Sequence, residues 1–358
     1  MAAIRSLDPS IRLSCLGGPL LRSSGAPVVV DHREISVVGA SEVLSHARAI
    51  FGAWRKIQSH LLASRPEVVV LIDFPDFNFF LGKFAKKIGA RIFYYISPQV
   101  WAWREYRVHT IKRLVDRMAV ILPFEKEFYG ARGMDVEYVG HPLVDILGSV
   151  PGLERSAQVY GSDSGGPLIG ILPGSRGSEI KLLFALLMDS AAIAARKLPE
   201  AKFLLPVAPS LNPERIKAYA ANWDLPVRIV SGDTYRVIRA CDLILTASGT
   251  VTLESAILGT PMVITNRVSR LSGEIAKRLI RVKWVGLPNL IAGRQVVPEF
   301  VQDNARPELI AAEATSLLRQ RDRLEEQRVE FAKMRESLGQ PGISERVAKL
   351  ILETAGVS

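Results

Sequence analysis

Cysteine and histidine are scarce in this sequence. The two cysteines, Cys15 and Cys241, lie far apart and each within an apolar stretch, which excludes a disulfide framework. We expect both to be buried, reduced thiols, as in a cytoplasmic protein. The five histidines are scattered without the spacing of metal ligands. The sequence therefore indicates no metal site.

Long apolar runs are also missing. The longest, such as Val68–Ile72 and Met118–Leu122, are far shorter than the roughly 20 residues that a membrane-spanning helix needs. Residues 1–15 lack the hydrophobic region of a signal peptide. If the chain meets a membrane, we expect it to do so from the cytoplasmic surface.

Acidic residues are outnumbered by basic ones. The 36 Asp and Glu stand against 46 Lys and Arg, which gives a net charge of +10 and a pI near 9.7. This balance favours an anionic partner, whether a nucleic acid, a nucleotide or an anionic membrane surface. Because the basic residues are spread over the chain and no nucleic-acid recognition motif occurs, we expect no nucleic-acid partner. A hydrophobic content of 48% indicates a folded globular protein.

Short apolar strands alternate with helical stretches, which predicts an α/β fold with parallel sheets covered on both faces. We predict two Rossmann-like domains that face a cleft, over 1–150 and 167–338, joined by a linker over 151–166 that is rich in Gly, Ser and Pro. The second domain ends in a long charged helix, Pro307–Leu338. A last amphipathic helix within 339–358 packs back on an N-terminal domain, its own or a partner's, so a homodimer is left open.

The apolar strand Leu168–Leu172 leads into a glycine turn and then a helix. Glycines let the backbone approach a ligand closely, and the N–H groups and positive dipole end of the helix attract an anion. Arg176 adds a cation with fork-shaped donors. A phosphate or pyrophosphate is the expected ligand, and an ordinary turn with a solvated arginine is the alternative. The binding residues assigned to this turn are Gly174, Ser175, Arg176 and Glu179.

A second glycine turn, Ser248-Gly249-Thr250, follows another predicted strand and opens a helix that carries Thr252 and Glu254. Two helix N-termini that converge can hold a pyrophosphate, and a carboxylate one turn into the helix can accept hydrogen bonds from a ribose diol. Together these features outline a site for a nucleoside diphosphate. The alternative for Glu254 is an ordinary solvated carboxylate.

Two carboxylates follow the buried strand Val68–Ile72, at the strand end where open α/β sheets bind ligands. We predict that Asp73 or Asp76, with Asp76 preferred, acts as a general base toward a hydroxyl group that Asn78 orients. Neighbouring phenylalanines are expected to bury the carboxylate, which makes it a stronger base. The other aspartate is expected to cap the next helix.

Trp101 and Trp103 lie in an aromatic loop that opens a basic helix. They are candidates for stacking on a sugar or base or for a lipid interface, with core packing as the alternative. His141 follows a predicted strand and is a further candidate for substrate binding, with a purely structural histidine as the alternative.

Seven segments of the chain resemble, in the same order, motifs of the lipid-A-disaccharide synthase family. They are IDFPDFN (Ile72–Asn78), YISPQVWAWR (Tyr95–Arg104), LPFEKEFY (Leu122–Tyr129), GHPLVD (Gly140–Asp145), LPGSRGSEI (Leu172–Ile180), ASGTVTLE (Ala247–Glu254) and LPNLIAGR (Leu287–Arg294). The resemblance covers nearly the whole chain. The aromatic and PDFN segments are specific to that family, whereas the two glycine turns are shared with other nucleotide-sugar glycosyltransferases.

This resemblance implies a GT-B glycosyltransferase that works without a metal or another cofactor. It implies peripheral binding to the cytoplasmic face of the inner membrane of a Gram-negative bacterium. The implied reaction is inverting transfer of 2,3-diacylglucosamine from UDP-2,3-diacylglucosamine to the 6-hydroxyl of 2,3-diacylglucosamine 1-phosphate, which gives the β-1,6 disaccharide and UDP. Another GT-B nucleotide-sugar enzyme, such as an N-acetylglucosaminyltransferase or a UDP-sugar 2-epimerase, is the nearest alternative.

The resemblance also implies roles for individual residues. Asp76 is the base, with Asp73 as its neighbour, and Asn289 contacts the donor. The residues implied to hold UDP are Arg176, Ser248, Gly249, Thr250 and Glu254.

One family feature is missing at the start of the sequence. Family members begin with a strand and a glycine-rich G-E-x-S-G-D loop, whereas Met1 here aligns within the helix that follows them. We therefore expect a first domain that lacks its first strand, folds poorly and supports little activity. Full turnover by residues 1–358 would refute this expectation.

Overall fold

The computed structural model describes residues 1–31, 40–160, 165–268 and 282–357. The chain divides into two compact units. The first unit comprises Met1–Val139 and Gly342–Ser358, and the second comprises Gly140–Pro341. Within the described residues, no helix is both long enough and apolar enough to cross a bilayer.

Helices and strands alternate through most of the described chain. The helices are α1 (Ala2–Leu7), α2 (Pro19–Ser23), α3 (Ala40–Ser64), α4 (Pro75–Lys87), α5 (Val108–Leu114), α6 (Pro123–Gly130), α7 (Leu143–Gly148), α8 (Leu153–Tyr160), α9 (Gly177–Lys197), α10 (Pro213–Ala220), α11 (Thr234–Ala240), α12 (Thr250–Leu258), α13 (Leu287–Ala292), α14 (Pro307–Arg319), α15 (Arg321–Ser337) and α16 (Ile343–Ala355). The strands are β1 (Cys15–Gly17), β2 (Val28–Asp31), β3 (Val68–Ile72), β4 (Arg91–Tyr95), β5 (Arg117–Val120), β6 (Glu137–Tyr138), β7 (Leu168–Leu172), β8 (Lys202–Val207), β9 (Val227–Ser231), β10 (Leu243–Ala247), β11 (Met262–Asn266) and β12 (Glu299–Val301).

The described residues of the first unit form two parallel sheets. One consists of β1 and β2, and the other has the strand order β3-β4-β5-β6. No strand among the described residues joins β2 to β3. The core of the larger sheet is apolar and aromatic, and Ile92, Phe93 and Tyr94 of β4 are fully buried. Burial on both faces explains why β4 has no polar face.

The second unit is built on one six-stranded parallel sheet with the order β12-β11-β10-β7-β8-β9. Its central strands β7 and β10 are buried along their whole length, as expected for parallel strands covered by helices on both faces. Helices α9 and α14 pack together beside this sheet, and their inward-facing residues join one apolar core with those of β7, β8 and β10. The predicted parallel α/β architecture is confirmed.

Two elements differ from the sequence prediction. The predicted linker contains helix α8, which packs on α11 through a hydrogen bond that the Tyr160 hydroxyl donates to Asp233 Oδ2 at 2.7 Å. The Gly- and Pro-rich composition of segment 151–166 predicts a linker and gives no sign of this short helix. The predicted helix Pro307–Leu338 is two helices, because Gln320 leaves the helical conformation with φ of −105° and ψ of 80°.

Helix α16 packs on its own chain's first unit. The Arg91 guanidinium donates to the Thr354 carbonyl at 2.7 Å, and Arg117 pairs with Glu353 at 2.7 Å. The apolar face of α16 is buried, with Ile343 completely inaccessible. The last helix is thus part of the first unit's core.

We expect Ile343→Ala to lower the free energy of unfolding of the first unit by about 2–4 kcal/mol, because it removes buried methyl groups and leaves a cavity. Lys349→Ala on the same helix is the control, since it breaks only the exposed Lys349–Glu345 pair and should cost less than about 0.5 kcal/mol. Urea unfolding followed by circular dichroism measures both. Equal effects of the two changes would contradict the packing described for α16.

Candidate active site

The two glycine turns of the second unit follow neighbouring strands. Strands β7 and β10 pair in parallel, with Leu172 opposite Thr246, and each glycine turn comes directly after its strand. Because carboxyl ends of parallel strands lie at the same edge of a sheet, both turns and the N-termini of α9 and α12 meet there. The structure therefore brings together the two halves of the predicted diphosphate site.

The first turn already holds a carboxylate. Glu179 Oε2 accepts hydrogen bonds from the N–H groups of Ser175 at 2.8 Å and Arg176 at 3.1 Å. Gly174 has φ of 116°, and a Cβ there would lie 2.5 Å from the same oxygen. Glu179 was expected to bind substrate, but it caps α9 instead, because a glutamate at the third helical position reaches back to these donors.

Arg176 extends from this turn into solvent. Its side chain is 80% exposed, and Nη1 lies 3.2 Å from Glu179 Oε1. An exposed pair of this kind contributes little to stability, so an incoming anion can replace the glutamate at small cost. Arg176 thus remains able to reach a phosphate, whereas the backbone donors beside it are engaged.

The second turn presents an uncapped helix N-terminus. Gly249 has φ of 154°, and no described side chain caps α12, which begins at Thr250. The Ser248 N–H donates to the Thr265 carbonyl at 2.9 Å. Thr252 is fully buried, and its hydroxyl donates to the Gly249 carbonyl at 2.8 Å, so it closes the turn rather than facing a ligand as predicted. The exposed Gly249–Thr250 backbone is the anion-binding part of this edge.

Glu254 lies one turn further along α12 and is largely buried. Burial raises the pKa of this carboxyl group, and the hydrogen bond from Tyr235 opposes the increase. The Tyr235 hydroxyl donates to Glu254 Oε1 at 3.3 Å. The sequence did not identify Tyr235. This residue lies in α11, the helix between β9 and β10, and α11 packs against α12, so its residues lie near this edge of the sheet.

Asn289 is placed differently from the prediction. It is completely buried, and its amide oxygen accepts from the N–H groups of Val296 at 2.6 Å and Val297 at 2.8 Å. Its amide nitrogen donates to the Val297 carbonyl and to Glu299 Oε1, both at 2.8 Å. Because its buried amide is fully hydrogen-bonded to these partners, Asn289 holds the loop that follows α13 and has no polar group left for the predicted contact with a donor substrate.

In the first unit, the β3–α4 turn carries unusual backbone strain. Asp73 and Phe74 have φ of 44° and 42°, a left-handed conformation that costs non-glycine residues free energy. The Asn78 amide donates to the carbonyls of Ile72 at 3.1 Å and Asp73 at 2.7 Å, and the Tyr94 hydroxyl donates to the Asp73 carbonyl at 2.7 Å. Asn78 thus holds the turn instead of orienting a substrate hydroxyl. Neither aspartate caps α4, whose N-cap residue is Phe74 without a side-chain cap.

Asp76 lies in the first turn of α4 and faces solvent. Its side chain is 71% exposed, which corrects the expected burial among phenylalanines. The helical periodicity explains this, because Phe77 and Phe79 turn toward the core while Asp76 points outward. Asp76 Oδ1 lies 2.6 Å from Arg107 Nη2 and 3.6 Å from Arg104 Nη1. Two guanidinium groups therefore orient the candidate base.

The two tryptophans of the aromatic loop have different environments. Trp101 packs edge-on against Phe124 with ring centroids 4.9 Å apart, and its indole N–H donates to Glu125 Oε1 at 3.2 Å. Trp103 is 38% exposed, and the Arg104 guanidinium lies 4.0 Å from its ring. The alternative of core packing therefore fits Trp101, while Trp103 lies on the surface close to Arg104, which approaches Asp76.

His141 is a buried, structural histidine. Its Nδ1 accepts a hydrogen bond from the Leu143 N–H at 3.2 Å, and the backbone N–H of His141 donates to the Leu338 carbonyl at 2.9 Å. Burial lowers the pKa of His141 from 6.5 to about 4, so the ring is neutral at physiological pH. The structure thus supports the structural alternative for this residue.

We expect His141 to make the second unit acid-sensitive. The unfolded chain binds a proton at His141 below about pH 6.5, whereas the folded protein does so only near pH 4, so unfolding becomes easier across this window. His141→Asn, which keeps an acceptor for the Leu143 N–H, should remove about 2–3 kcal/mol of the stability lost between pH 7 and pH 4.5. Denaturant titrations at both pH values test this, with exposed His109→Asn as the control. An unchanged pH dependence in His141→Asn would contradict it.

Comparison with solved structures identifies the fold. The chain is similar to MurG of Acinetobacter baumannii with a TM-score of 0.62 and 16% identity, over 98% of this chain and 94% of that one. It is also similar to a UDP-GlcNAc 2-epimerase of Neisseria meningitidis with a TM-score of 0.59 and 13% identity, over 93% of this chain and 88% of that one. With its parallel sheets and paired glycine turns, the protein has the GT-B fold, which nucleotide-sugar glycosyltransferases share with UDP-sugar 2-epimerases.

The particular family follows from the sequence. Residues 1–353 match the family model described as lipid-A-disaccharide synthetase. The lipid-A-disaccharide synthase of Geobacter metallireducens is 44% identical over 350 residues, which cover 98% of this chain and 91% of that protein. The chain belongs to the lipid-A-disaccharide synthase family, whose members are glycosyltransferases of lipid A biosynthesis.

Proposed function

We propose that the chain transfers 2,3-diacylglucosamine from UDP-2,3-diacylglucosamine to the 6-hydroxyl of 2,3-diacylglucosamine 1-phosphate, with inversion at the anomeric carbon. The products are the β-1,6 disaccharide 1-phosphate and UDP. The observation that carries the proposal is the meeting of two glycine turns at one edge of the β7–β10 pair. Family membership supports the choice of donor and acceptor.

In this proposal the N-terminus of α12 binds the diphosphate of UDP. The N–H groups of the exposed residues Gly249 and Thr250 and the helix dipole stabilise the negative charge that grows on UDP as it leaves. Arg176 exchanges its contact with Glu179 for a phosphate oxygen. Glu254 accepts hydrogen bonds from the ribose hydroxyls, and Tyr235 holds the carboxylate in place.

Asp76 is the general base of the proposed reaction. Its carboxylate takes the proton of the acceptor 6-hydroxyl while that oxygen attacks the anomeric carbon, and UDP departs with the bonding electrons. Arg107 and Arg104 pair with Oδ1, and we assign the proton transfer to Oδ2. Asp73 contributes the strained turn that places Asp76 at the end of β3.

Exposed apolar side chains of the first unit suit acylated substrates and a membrane surface. Phe80 is one turn below Asp76 on α4 and is 67% exposed, and Trp103 and Tyr106 are also exposed. Arg104 beside them is a partner for anionic headgroups. We propose that this group contacts acyl chains at the cytoplasmic surface of the membrane.

We expect Phe80→Ser to lower the binding of the protein to vesicles containing phosphatidylglycerol about tenfold, because burial of an exposed phenylalanine in lipid is lost. Vesicle cosedimentation measures the bound fraction. Val329→Ser, which removes an exposed apolar side chain of the second unit, should leave binding unchanged. If the two variants bind equally well, Phe80 is not part of a membrane-contacting surface.

The reaction itself is tested by product analysis. Purified protein is incubated with 2,3-diacylglucosamine 1-phosphate and either UDP-2,3-diacylglucosamine or UDP-N-acetylglucosamine. However low the turnover of residues 1–358, we expect the β-1,6 disaccharide and UDP to form only from the acylated donor. Use of the non-acylated donor alone, or epimerisation of the sugar without transfer, would overturn the proposal.

A further inference from the structure

Glu125 is a buried carboxylate to which the proposed reaction gives no role. It lies in the first turn of α6 and is only 1% exposed. A charged side chain at such a position is costly unless it is fully hydrogen-bonded. Its partners therefore show what the carboxylate does.

Each oxygen of Glu125 accepts two hydrogen bonds. Oε1 accepts from the Ser97 hydroxyl at 2.9 Å and the Trp101 indole N–H at 3.2 Å. Oε2 accepts from the N–H groups of Ile121 at 3.1 Å and Leu122 at 2.9 Å. Burial raises the pKa of Glu125, while these donors act in the opposite direction. A glutamine cannot replace this group without turning an amide N–H₂ toward two donors.

These partners belong to the segments that follow two neighbouring strands. Ser97 and Trp101 come after β4, and Ile121 and Leu122 come after β5, which pairs with β4. Glu125 therefore ties together two loops at the carboxyl edge of the first unit's larger sheet. The fully buried Tyr129 completes the network, because its hydroxyl donates to Ser97 Oγ at 3.1 Å.

The loop that Glu125 holds continues directly to the arginines that orient Asp76. Trp103 follows Trp101 by two residues, and the Arg104 guanidinium stacks over its ring. The backbone N–H of Arg107 donates to the Arg104 carbonyl at 2.9 Å, so the backbones that carry the two arginines are held together. Arg107 in turn lies 2.6 Å from Asp76. A displaced loop would move these cations away from the base.

We propose that Glu125 is a positioning residue for transfer, which acts through the Ser97–Trp103 loop on the two arginines that orient Asp76. The inference rests on the proposed role of Asp76 as the base. It predicts that loss of the Glu125 acceptors slows the chemical step without affecting the binding of UDP, because every contact of the network lies in the first unit.

The first test compares Glu125→Gln with Glu127→Gln, an exposed control on the same helix. With enzyme concentration set by titration of UDP sites, we expect Glu125→Gln to lower kcat about 30-fold while the KM for the donor and the Kd for UDP change less than about twofold. Glu127→Gln should match the unaltered protein. A merely structural role would lower the unfolding midpoint but leave kcat per UDP site unchanged, and that result would overturn the proposal.

A second variant keeps the test decisive if Glu125→Gln fails to fold. Trp101→Phe keeps the ring that packs on Phe124 and removes only the N–H donor to Glu125. We expect kcat to fall about five- to tenfold while the Kd for UDP changes less than about twofold, because one of the donors that tie the loop to Glu125 is lost. Wild-type kcat in Trp101→Phe would refute the loop mechanism. If Asp76→Asn retains activity while Glu125→Gln loses it, the assignment of the base fails but the loop is still required.

Discussion

Asp76→Asn is expected to lower kcat about a thousandfold or more while UDP still binds with its normal affinity. The amide has the shape of the carboxylate and its oxygen can still accept from Arg107, but it cannot take a proton from the acceptor hydroxyl. Since the side chain is 71% exposed, the substitution should leave the fold intact. Product formation under single-turnover conditions, with calorimetric titration of UDP, measures the two effects separately.

Asp73→Asn is the matched control for this prediction. Asparagine tolerates the left-handed conformation at residue 73, and the Asp73 carbonyl that accepts from Asn78 and Tyr94 is retained. We therefore expect kcat to fall less than about tenfold. The opposite ranking, with Asp73→Asn inactive and Asp76→Asn active, would assign the base to Asp73. Full turnover by both variants would exclude this turn as the source of the base.

Gly249→Val is expected to weaken UDP binding at least about 100-fold. A φ of 154° is strained for any residue with a Cβ, and valine would also cover the exposed N–H groups at the start of α12. Because these groups are the proposed donors to the diphosphate, both the affinity for UDP and the KM for the donor should suffer. Calorimetric titration with UDP measures the affinity directly.

Gly177→Val controls for bulk at the other glycine turn. A Cβ on Gly177 would meet no atom within 4 Å, and its backbone does not require glycine, so UDP binding should change less than about threefold. Arg176→Ala should lie between these limits, with a loss of about tenfold, because one exposed cation is removed and the helix N-terminus remains. A larger loss at Gly177 than at Gly249 would move the diphosphate to the N-terminus of α9.

The strands and glycine turns of the second unit could be predicted from the sequence because their signals are local. The run Leu168–Leu172 contains only apolar residues and glycine, and buried parallel strands require such a composition. A glycine two residues after the end of such a strand, as Gly174 and Gly249 are, indicates a close turn. Helix α8 and the break at Gln320 were not predicted because they lack such local signals. Helix α8 lies in a segment of low periodicity, and the break at Gln320 has neither glycine nor proline.

Side-chain roles were predicted less well than side-chain positions. Glu179, Thr252, Asn78 and Asn289 all lie in the first turn of a helix, beside the turns and loops where polar residues suggested ligand contacts. In the structure each one satisfies backbone groups of its own turn or loop. A buried or strained turn leaves N–H and carbonyl groups that need partners, and a sequence does not show which polar side chain supplies them.

By itself, the sequence determined the α/β alternation, the two glycine turns, the carboxylates after β3 and the family, because each depends on residues close together in the chain or on their order. The tertiary structure alone decided that Glu179 fills the first turn, that Asp76 is exposed between two arginines, and that Tyr235 and Glu125 support the residues beside them. The physical reason is that hydrogen-bond partners and burial are set by strand order and helix packing, which bring together residues far apart in the sequence.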